Sequence, residues 1–251
     1  MTYENNNNDS IDYNDRNTPL VSIIIPTYER YEQLLTALNS VLEQDTNTEI
    51  IIVDDCSKDE RYREIDKNIE IGLIPSNVKI IHLNQNTREK YNFHSAQGIV
   101  KNIGIENARG EWLAFLDDDD KFISPQKINL QLKYMHKYNC KMSSTNMYCG
   151  NGKYTHNTNY HLYHKNLPIV KEVVEEDICL LNKEEVSARN YINNSTVIFH
   201  RSLLDGKEWF KLIQYEDHEL WLRLLDNTKC VYLHQPLCYY DLGSTKFYHN
   251  L

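Results

Sequence analysis

The segment EWLAFLDDDD, residues 111–120, decides the fold of this chain, because an apolar stretch runs directly into four consecutive aspartates. Residues 111–116 predict a buried strand, since continuous apolar runs are typical of strands that are covered on both faces. Four adjacent carboxylates would repel one another unless a cation or a hydrogen-bonding ligand lay among them. Most charge runs are solvated loops. Here no spacer separates the run from the strand, which favours a metal and phosphate site.

Strands and helices alternate around this segment. Helical spacing of apolar residues predicts helices over 34–42 and about 93–108, between the apolar runs. Such alternation is typical of an α/β fold with a parallel sheet and right-handed crossovers. Ligands of such sheets bind at the carboxyl ends of the strands, where Asp54, Asp55 and the aspartate run all lie. The apolar runs that predict strands are 20–25, 49–53, 78–83 and 111–116.

The second half of the chain gives weaker signals. A helix is predicted over 125–138, with Ser124 as its cap, and a short helix is expected between Val170 and Leu181. The polar, Tyr- and His-rich stretch 142–163 either lines a sugar site or forms a surface hairpin, and both readings stay open. Further strands are predicted at 195–199, 229–233 and 237–240.

A second acidic element, Glu216-Asp217, begins a predicted helix. Asp217 precedes Leu220 and Trp221 by three and four residues, which places it on the inward face of the first turn. An aspartate there can satisfy free backbone N–H groups at the helix start. It can equally be a general base at the wall of a cleft. The residues alone leave both explanations open.

The composition limits the classes of function. With 27 basic and 36 acidic residues the net charge is -9, which argues against a nucleic-acid-binding protein. No apolar run approaches the ~20 residues that span a bilayer and no secretion signal is present, so a cytoplasmic protein is expected. Residues 1–18 are rich in Asn and Asp and are expected to form a flexible leader. With 251 residues the chain is long enough for one large domain or two small ones.

Five segments in order resemble the family 2 glycosyltransferases of the GT-A fold, over residues 20 to about 244. The resemblance implies a single α/β domain over residues 19–251, with a mostly parallel central sheet flanked by helices. In this domain a Rossmann-like nucleotide-sugar-binding half, 19–120, precedes an acceptor-binding half, 121–251. The segments are VSIIIPTYER (21–30), IIIVDDCS (50–57), KNIGIENARGEWLAFLDDDD (101–120), PQKI (125–128) and EDHELWLRL (216–224).

The resemblance also implies a nucleotide site. The carboxylate after the second strand matches Asp55, with Asp54 beside it, and in the family it hydrogen-bonds the base, usually uracil. Arg88, which follows the third strand, is assigned to the base or the phosphates. Lys101 stands where family members often carry arginine, so the positive charge survives without the bidentate geometry. The loop after the first strand, which borders the nucleotide in the family, consists of Pro26, Thr27, Tyr28, Glu29 and Arg30.

The catalytic groups follow from the same resemblance. The Asp-x-Asp element falls on Asp117, near the ribose, and Asp119, on a divalent metal such as Mn²⁺ or Mg²⁺. Asp118 is an adjacent donor-site residue, and Asp117 could help to hold the metal. A hard cation takes carboxylate and phosphate oxygens and neutralises the leaving diphosphate. The general base of the family matches Asp217, which would deprotonate an acceptor hydroxyl and so invert the anomeric carbon.

The predicted function is therefore an inverting, metal-dependent transfer of a sugar from a nucleotide sugar, with a UDP-sugar as the expected donor. The acceptor is a hydroxyl group of a glycan, a glycoprotein or a small molecule. One alternative is a catalytically inactive module that binds a nucleotide or sugar, which the retention of both acidic motifs disfavours. The other is a sugar nucleotidyltransferase, which is disfavoured because the loop PTYERYEQ lacks the glycines of a phosphate-binding loop.

Overall fold

The computed structural model describes residues 20–93, 96–150, 161–166, 168, 170–206 and 209–242. The predicted leader, 1–18, lies outside the described residues, as do positions 151–160 of the Tyr- and His-rich stretch. The strands are β1 (Val21–Thr27), β2 (Thr48–Asp54), β3 (Val78–His82), β4 (Trp112–Phe115), β5 (Lys121–Phe122), β6 (Met142–Gly150), β7 (His161–Leu162), β8 (Val173–Glu175), β9 (Ile178–Leu181), β10 (Ile198–His200) and β11 (Cys230–Asp241). The helices are α1 (Tyr31–Leu42), α2 (Arg61–Glu70), α3 (Thr87–Tyr91), α4 (Gln97–Asn107), α5 (Lys127–Lys137), α6 (Lys183–Ala188) and α7 (Glu216–Leu224), with 3₁₀ turns at Asn194–Thr196 and Arg201–Leu203.

The strands form one sheet in the order β3-β2-β1-β4-β10-β6-β11-β9-β8. The first four strands are parallel, as predicted from their alternation with helices. From β10 onward the sheet is mixed, because β10 runs antiparallel to both β4 and β6 while β6 and β11 are parallel. The α/β class with helices flanking a central sheet is therefore confirmed. The parallel part is its first half.

Both faces of the sheet are covered, which explains the continuous apolar strands. Ile23 of β1 belongs to a core cluster with α1 and α5, whereas Ile24 belongs to a second cluster with α4 and α7. Helix α4 lies very close to β1, since a Cβ atom at Gly104 would be 2.4 Å from Ile24 Cγ2. Only glycine allows this approach. Because helices cover both faces of the sheet, the ends of the strands remain as the open edge of the domain.

The helix expected between Val170 and Leu181 is wrong. This stretch forms the antiparallel strands β8 and β9, and β9 is fully buried beside β11. The residues of β9, Ile-Cys-Leu-Leu, have an apolar run too short to distinguish helix from strand. The short helix begins instead at Lys183, where Asn182 accepts a hydrogen bond from the backbone of Glu185 in a capping box.

The weak strand signals after Met142 correspond to a long strand in the middle of the sheet. Strand β6 is buried although Ser143, Ser144, Thr145 and Asn146 are polar. Hydrogen bonds satisfy these side chains; for example, Ser144 Oγ and Thr196 Oγ1 are 2.7 Å apart. Strand β7 pairs antiparallel with the end of β6. Within the described residues, this pairing agrees with the hairpin alternative for the stretch 142–163.

None of the helices in the described part of the chain combines the length and the apolar character that crossing a membrane requires.

Candidate active site

The ends of β1 and β4 meet at one edge of the sheet. These strands are parallel neighbours, so the loop after Thr27 lies beside the aspartate run that follows β4. Thr27 Oγ1 donates a hydrogen bond of 2.8 Å to Asp118 Oδ2, and both residues are buried. The structure thus brings together two segments that the sequence places about 90 residues apart. This edge is the candidate active site.

Arg30 forms ion pairs with two aspartates of the run. Its Nη1 atom lies 3.0 Å from Asp118 Oδ1 and 2.8 Å from Asp119 Oδ2. Burial lowers the pKa of Arg30, but the charges of the two aspartates outweigh burial and raise it. The guanidinium therefore stays charged and bridges the two carboxylates.

The other two aspartates of the run are held by the second half of the chain. Asn194 Nδ2 donates to Asp117 Oδ1 at 2.7 Å, and Asp117 N donates to Ser195 Oγ at 3.1 Å. Asp120 accepts hydrogen bonds from Ser195 Oγ and, at 3.0 Å, from Asp241 N. Asn194 and Ser195 were not predicted as site residues, and their only sequence signal is a polar cluster immediately before a strand.

Burial and mutual repulsion raise the pKa values of carboxyl groups in the run. Burial raises the pKa of Asp117 to about 6 and that of Asp118 to about 7, with the charge of Asp119 adding to both shifts. Lys101 offsets part of the shift at Asp117, and Arg30 offsets part of the shift at Asp118. The pKa of Asp120 is raised well above its ordinary value, chiefly by burial. Because burial disfavours the charged form of these carboxyl groups, a cation bound at the edge would favour their ionised form.

The carboxylates fit a divalent metal that shares its ligands with a phosphate. Within the described residues, no group of three or more His, Cys, Asp or Glu side chains is arranged to hold a metal by itself. Mg²⁺ and similar ions, however, are commonly held by one or two carboxylates together with substrate phosphates. Asp117 and Asp119, two carboxylates just after β4, match that donor set.

Asp54 and Asp55 lie at the end of β2, and both carboxylates have protein partners. Asp55 Oδ1 accepts from the Thr87 backbone N–H, while its Oδ2 accepts from Thr87 Oγ1 and from Asn86 Nδ2. Burial raises the pKa of Asp55, and the charge of the exposed Arg88 in α3 opposes this. Asp54 Oδ2 lies 2.8 Å from His82 Nδ1. The pair after β2 thus anchors β3 and the start of α3 at the edge.

The loop after β1 is fixed by α2. The hydroxyl of Tyr62 lies 3.1 Å from Thr27 Oγ1 and accepts a hydrogen bond of 2.7 Å from Arg30 N. Glu29 has a positive φ of 54°, and its backbone N–H donates to Ser57 Oγ at 3.0 Å. Pro26 lies within β1 and Tyr28 in the loop that follows it, and both are half-buried, so the strand extends beyond its predicted end at residue 25. Tyr62 was missed from sequence, because nothing marks it apart from other tyrosines.

The start of α7 carries two carboxylates in different environments. Glu216 is buried, and its Oε1 lies 3.3 Å from the equally buried Lys101 Nζ. Asp217 is half-buried and accepts the backbone N–H of His218. The inward position predicted for Asp217 is therefore occupied by Glu216, which shares the buried stripe with Leu220 and Leu224. Lys101 contacts Glu216 of this pair, and its charge also acts on Asp117 at the strand-end edge.

Structural comparison finds the same fold in known glycosyltransferases. The crystal structure of S. aureus TarS 1-349 matches with a TM-score of 0.65 at 20% identity, over 88% of this chain and 60% of that one. A mannosyltransferase from Pyrobaculum calidifontis, PcManGT, matches with a TM-score of 0.60 at 13% identity, over 92% of this chain and 59% of that one. The domain therefore has a GT-A type fold.

Sequence comparison finds relatives over different lengths. The putative teichuronic acid biosynthesis glycosyltransferase TuaG of Bacillus subtilis is 34% identical over 134 residues, which are 51% of this chain and 46% of that protein. A Campylobacter jejuni protein, GalNAc(5)-diNAcBac-PP-undecaprenol beta-1,3-glucosyltransferase, is 28% identical over 230 residues, which are 89% of this chain and 65% of that protein. The chain thus spans less than two thirds of either curated relative.

The family model named Glycosyl transferase family 2 matches residues 22–204, a span that includes β1, the aspartate run and the Asn194–Ser195 turn. Because this match extends over well more than half of the sequence, the chain belongs to the family 2 glycosyltransferases.

Proposed function

We propose that this chain is an inverting, metal-dependent glycosyltransferase that moves a sugar from a nucleotide sugar to an acceptor hydroxyl group. One observation carries the proposal: Asp217 lies close enough to Asp117 that its charge raises the pKa of that carboxyl. The predicted base and the predicted donor-site aspartate, 100 residues apart in sequence, therefore belong to one electrostatic site. An inverting transfer needs this juxtaposition, since the base must lie beside the anomeric carbon.

In this proposal the residues divide the chemistry between them. Asp119, with help from Asp117, would hold Mn²⁺ or Mg²⁺, which supplies charge neutralisation to the departing nucleoside diphosphate. Asp217 takes the proton from the acceptor hydroxyl while that oxygen bonds to the anomeric carbon and the bond to the diphosphate breaks. Half-burial suits this role, because the carboxylate stays accessible to the acceptor while remaining partly desolvated.

The donor is proposed to be a UDP-sugar. TarS 1-349 has been crystallised with UDP and with UDP-GlcNAc, whereas PcManGT is seen with GDP-Man and Mn²⁺. The nucleotide would lie along residues 26–30. Asp54, Asp55 and Arg88 would lie towards the base. Asp117 and Asp118 would lie towards the ribose. The acceptor is proposed to be a hydroxyl group on a glycan, a glycoprotein or a small molecule. Of these three acceptors a glycan is favoured, because the name of the Campylobacter relative contains an undecaprenol-linked glycan.

A donor screen tests the proposal. Hydrolysis of UDP-, GDP- and dTDP-sugars is measured with and without Mn²⁺, and UDP binding is followed by calorimetry. Asp119→Ala should abolish Mn²⁺-dependent UDP binding, while Asp217→Asn should bind UDP normally and lose roughly 10²–10⁴-fold in turnover. Asp226→Asn, an exposed residue just beyond α7, serves as the matched control. Wild-type turnover in Asp217→Asn would refute the base, and binding of UDP without any turnover would indicate an inactive binding module.

A further inference from the structure

Helix α4 presents three residues to the segment that leads into α7. Gly98, Lys101 and Asn102 are spaced three and four apart, so they share one helix face. A Cβ atom at Gly98 would lie 2.8 Å from Phe210 Cβ and 2.9 Å from Glu216 Cγ. The helix therefore contacts both ends of the segment 210–216 at van der Waals distance, which no larger residue at position 98 would allow.

Asn102 fixes the first end of this segment. Its Nδ2 donates to the Phe210 carbonyl at 2.8 Å, and Phe210 N donates to its Oδ1 at 2.9 Å. Both residues are buried, so the side-chain amide replaces the partner that a neighbouring strand would supply. The backbone at Phe210 cannot move relative to α4 without breaking both bonds.

Lys101 fixes the other end. Its Nζ lies 3.3 Å from Glu216 Oε1 and 4.9 Å from the centre of the Phe210 ring. Tyr215, just before Glu216, has a left-handed backbone with φ 58° and gives α7 no side-chain cap. The contact between Glu216 and Lys101 therefore helps to orient the first turn of α7, together with the bond of 3.1 Å between His218 Nε2 and the Val186 carbonyl.

The burial of Lys101 argues against direct contact with the nucleotide. Its side chain is 3% exposed and its ammonium is already paired with Glu216, so little of it is accessible to a phosphate. Asp117 and Asp217 both act on Lys101 electrostatically, so the ammonium lies between the donor edge and the turn that carries the proposed base.

We propose that Lys101 is a positioning residue, which holds the first turn of α7 through Glu216 so that Asp217 faces the donor edge. The inference rests on the proposed function, because it takes Asp217 as the base. It replaces the nucleotide contact that the resemblance implied for Lys101. It also predicts that Glu216 and Lys101 act as a unit.

The test compares Lys101→Met, Lys101→Arg, Glu216→Gln and the double variant Lys101→Met/Glu216→Gln. UDP affinity with Mn²⁺ is measured by calorimetry, and kcat and KM are measured with the UDP-sugar that gives the highest rate in the donor screen. Lys101→Met should lower kcat at least 10-fold with the UDP Kd changed less than 3-fold, and Lys101→Arg should recover part of kcat. The double variant should lose less than the product of the two single losses, because it removes both charges together, whereas each single variant leaves the other buried charge unpaired. Lys183→Met, which breaks an exposed ion pair with Asp226, is the control and should keep wild-type kcat and Kd.

Other outcomes overturn the proposal. A 10-fold or greater rise in the UDP Kd of Lys101→Met would make Lys101 a nucleotide contact. Independent, multiplicative losses in the double variant would show that the two residues do not act as a unit. If Lys101→Met is too unstable to assay, Lys101→Arg and the double variant carry the same comparison. A failure of the proposed function appears separately, as wild-type turnover in Asp217→Asn.

Discussion

Thr87 donates two hydrogen bonds to the carboxylate of Asp55, one from its backbone N–H and one from its hydroxyl group, and each is 2.8 Å long. Both residues are buried, and the two bonds tie the end of β2 to the first residue of α3. The carboxylate that the family resemblance assigns to the nucleotide base thus also holds the helix that carries Arg88. Loss of Asp55 should affect stability as well as binding.

Asp55→Ala should lower the free energy of unfolding by about 1–3 kcal/mol, because buried donors of Asn86 and Thr87 lose their acceptor. Thr87→Val removes only the hydroxyl donor and should cost about 1 kcal/mol. Urea denaturation measures both. Asn84→Ala, in the exposed part of the same loop, is the control and should stay within about 0.5 kcal/mol of the wild type. Equal stability of Asp55→Ala and Asn84→Ala would contradict this account.

Arg30→Met should destabilise the ligand-free protein by about 1–3 kcal/mol, since it leaves Asp118 and Asp119 without their bridging cation. If a divalent metal binds these carboxylates, Mn²⁺ with UDP should raise the melting temperature of Arg30→Met more than that of the wild type. Thermal unfolding with and without Mn²⁺ and UDP measures this. Arg61→Met, which removes exposed ion pairs with Glu32 and Asp59, should destabilise the protein less than Arg30→Met and leave the Mn²⁺ response unchanged. An identical Mn²⁺ response in all three proteins would count against a metal at the run.

His82 makes stability depend on pH. Burial lowers the pKa of His82, but hydrogen bonds to Asp54 and Asp66 outweigh it, so the pKa in the folded protein is raised. The stabilisation is therefore complete below the unfolded pKa of about 6.5 and is lost as the pH rises through the higher folded value. The difference in unfolding free energy between wild type and His82→Gln should shrink from pH 6 to pH 8.5. His136→Gln, at an exposed position in α5, should show no such trend. A constant difference for His82→Gln would show that the pair of aspartates does not hold a proton on the ring.

The strands of the first half could be predicted because β1, β2 and β4 are buried on both faces. Such strands appear in the sequence as continuous apolar runs. The same runs end in Asp54 and Asp117, so the position of the candidate site followed from strand order. Helix α2 gave no comparable signal, since it buries only Tyr62 and Ile65. Its tyrosine nevertheless fixes the loop after β1.

The remaining features depend on contacts between distant residues. Strand β6 is central but polar, because its buried hydroxyl and amide groups find partners such as Thr196, which lies 52 residues from Ser144. Lys101 and Glu216 are separated by 115 positions, and no local pattern shows that they meet. The helical spacing of α7 predicted that its first turn directs a carboxylate inward. Whether that carboxylate is Glu216 or Asp217 depends on the distant Lys101.

The continuous sheet limits how acceptor specificity can be exchanged between relatives. Strand β4 pairs with β10, and Asp120 accepts hydrogen bonds from Ser195 and Asp241, so the strand and the aspartate run at the donor edge are bonded to residues from the later half. A chimera joined at residue 120 would break all of these bonds at once. Acceptor choice can therefore be transplanted through the loops that surround the edge, while the strands of both halves must come from the same parent.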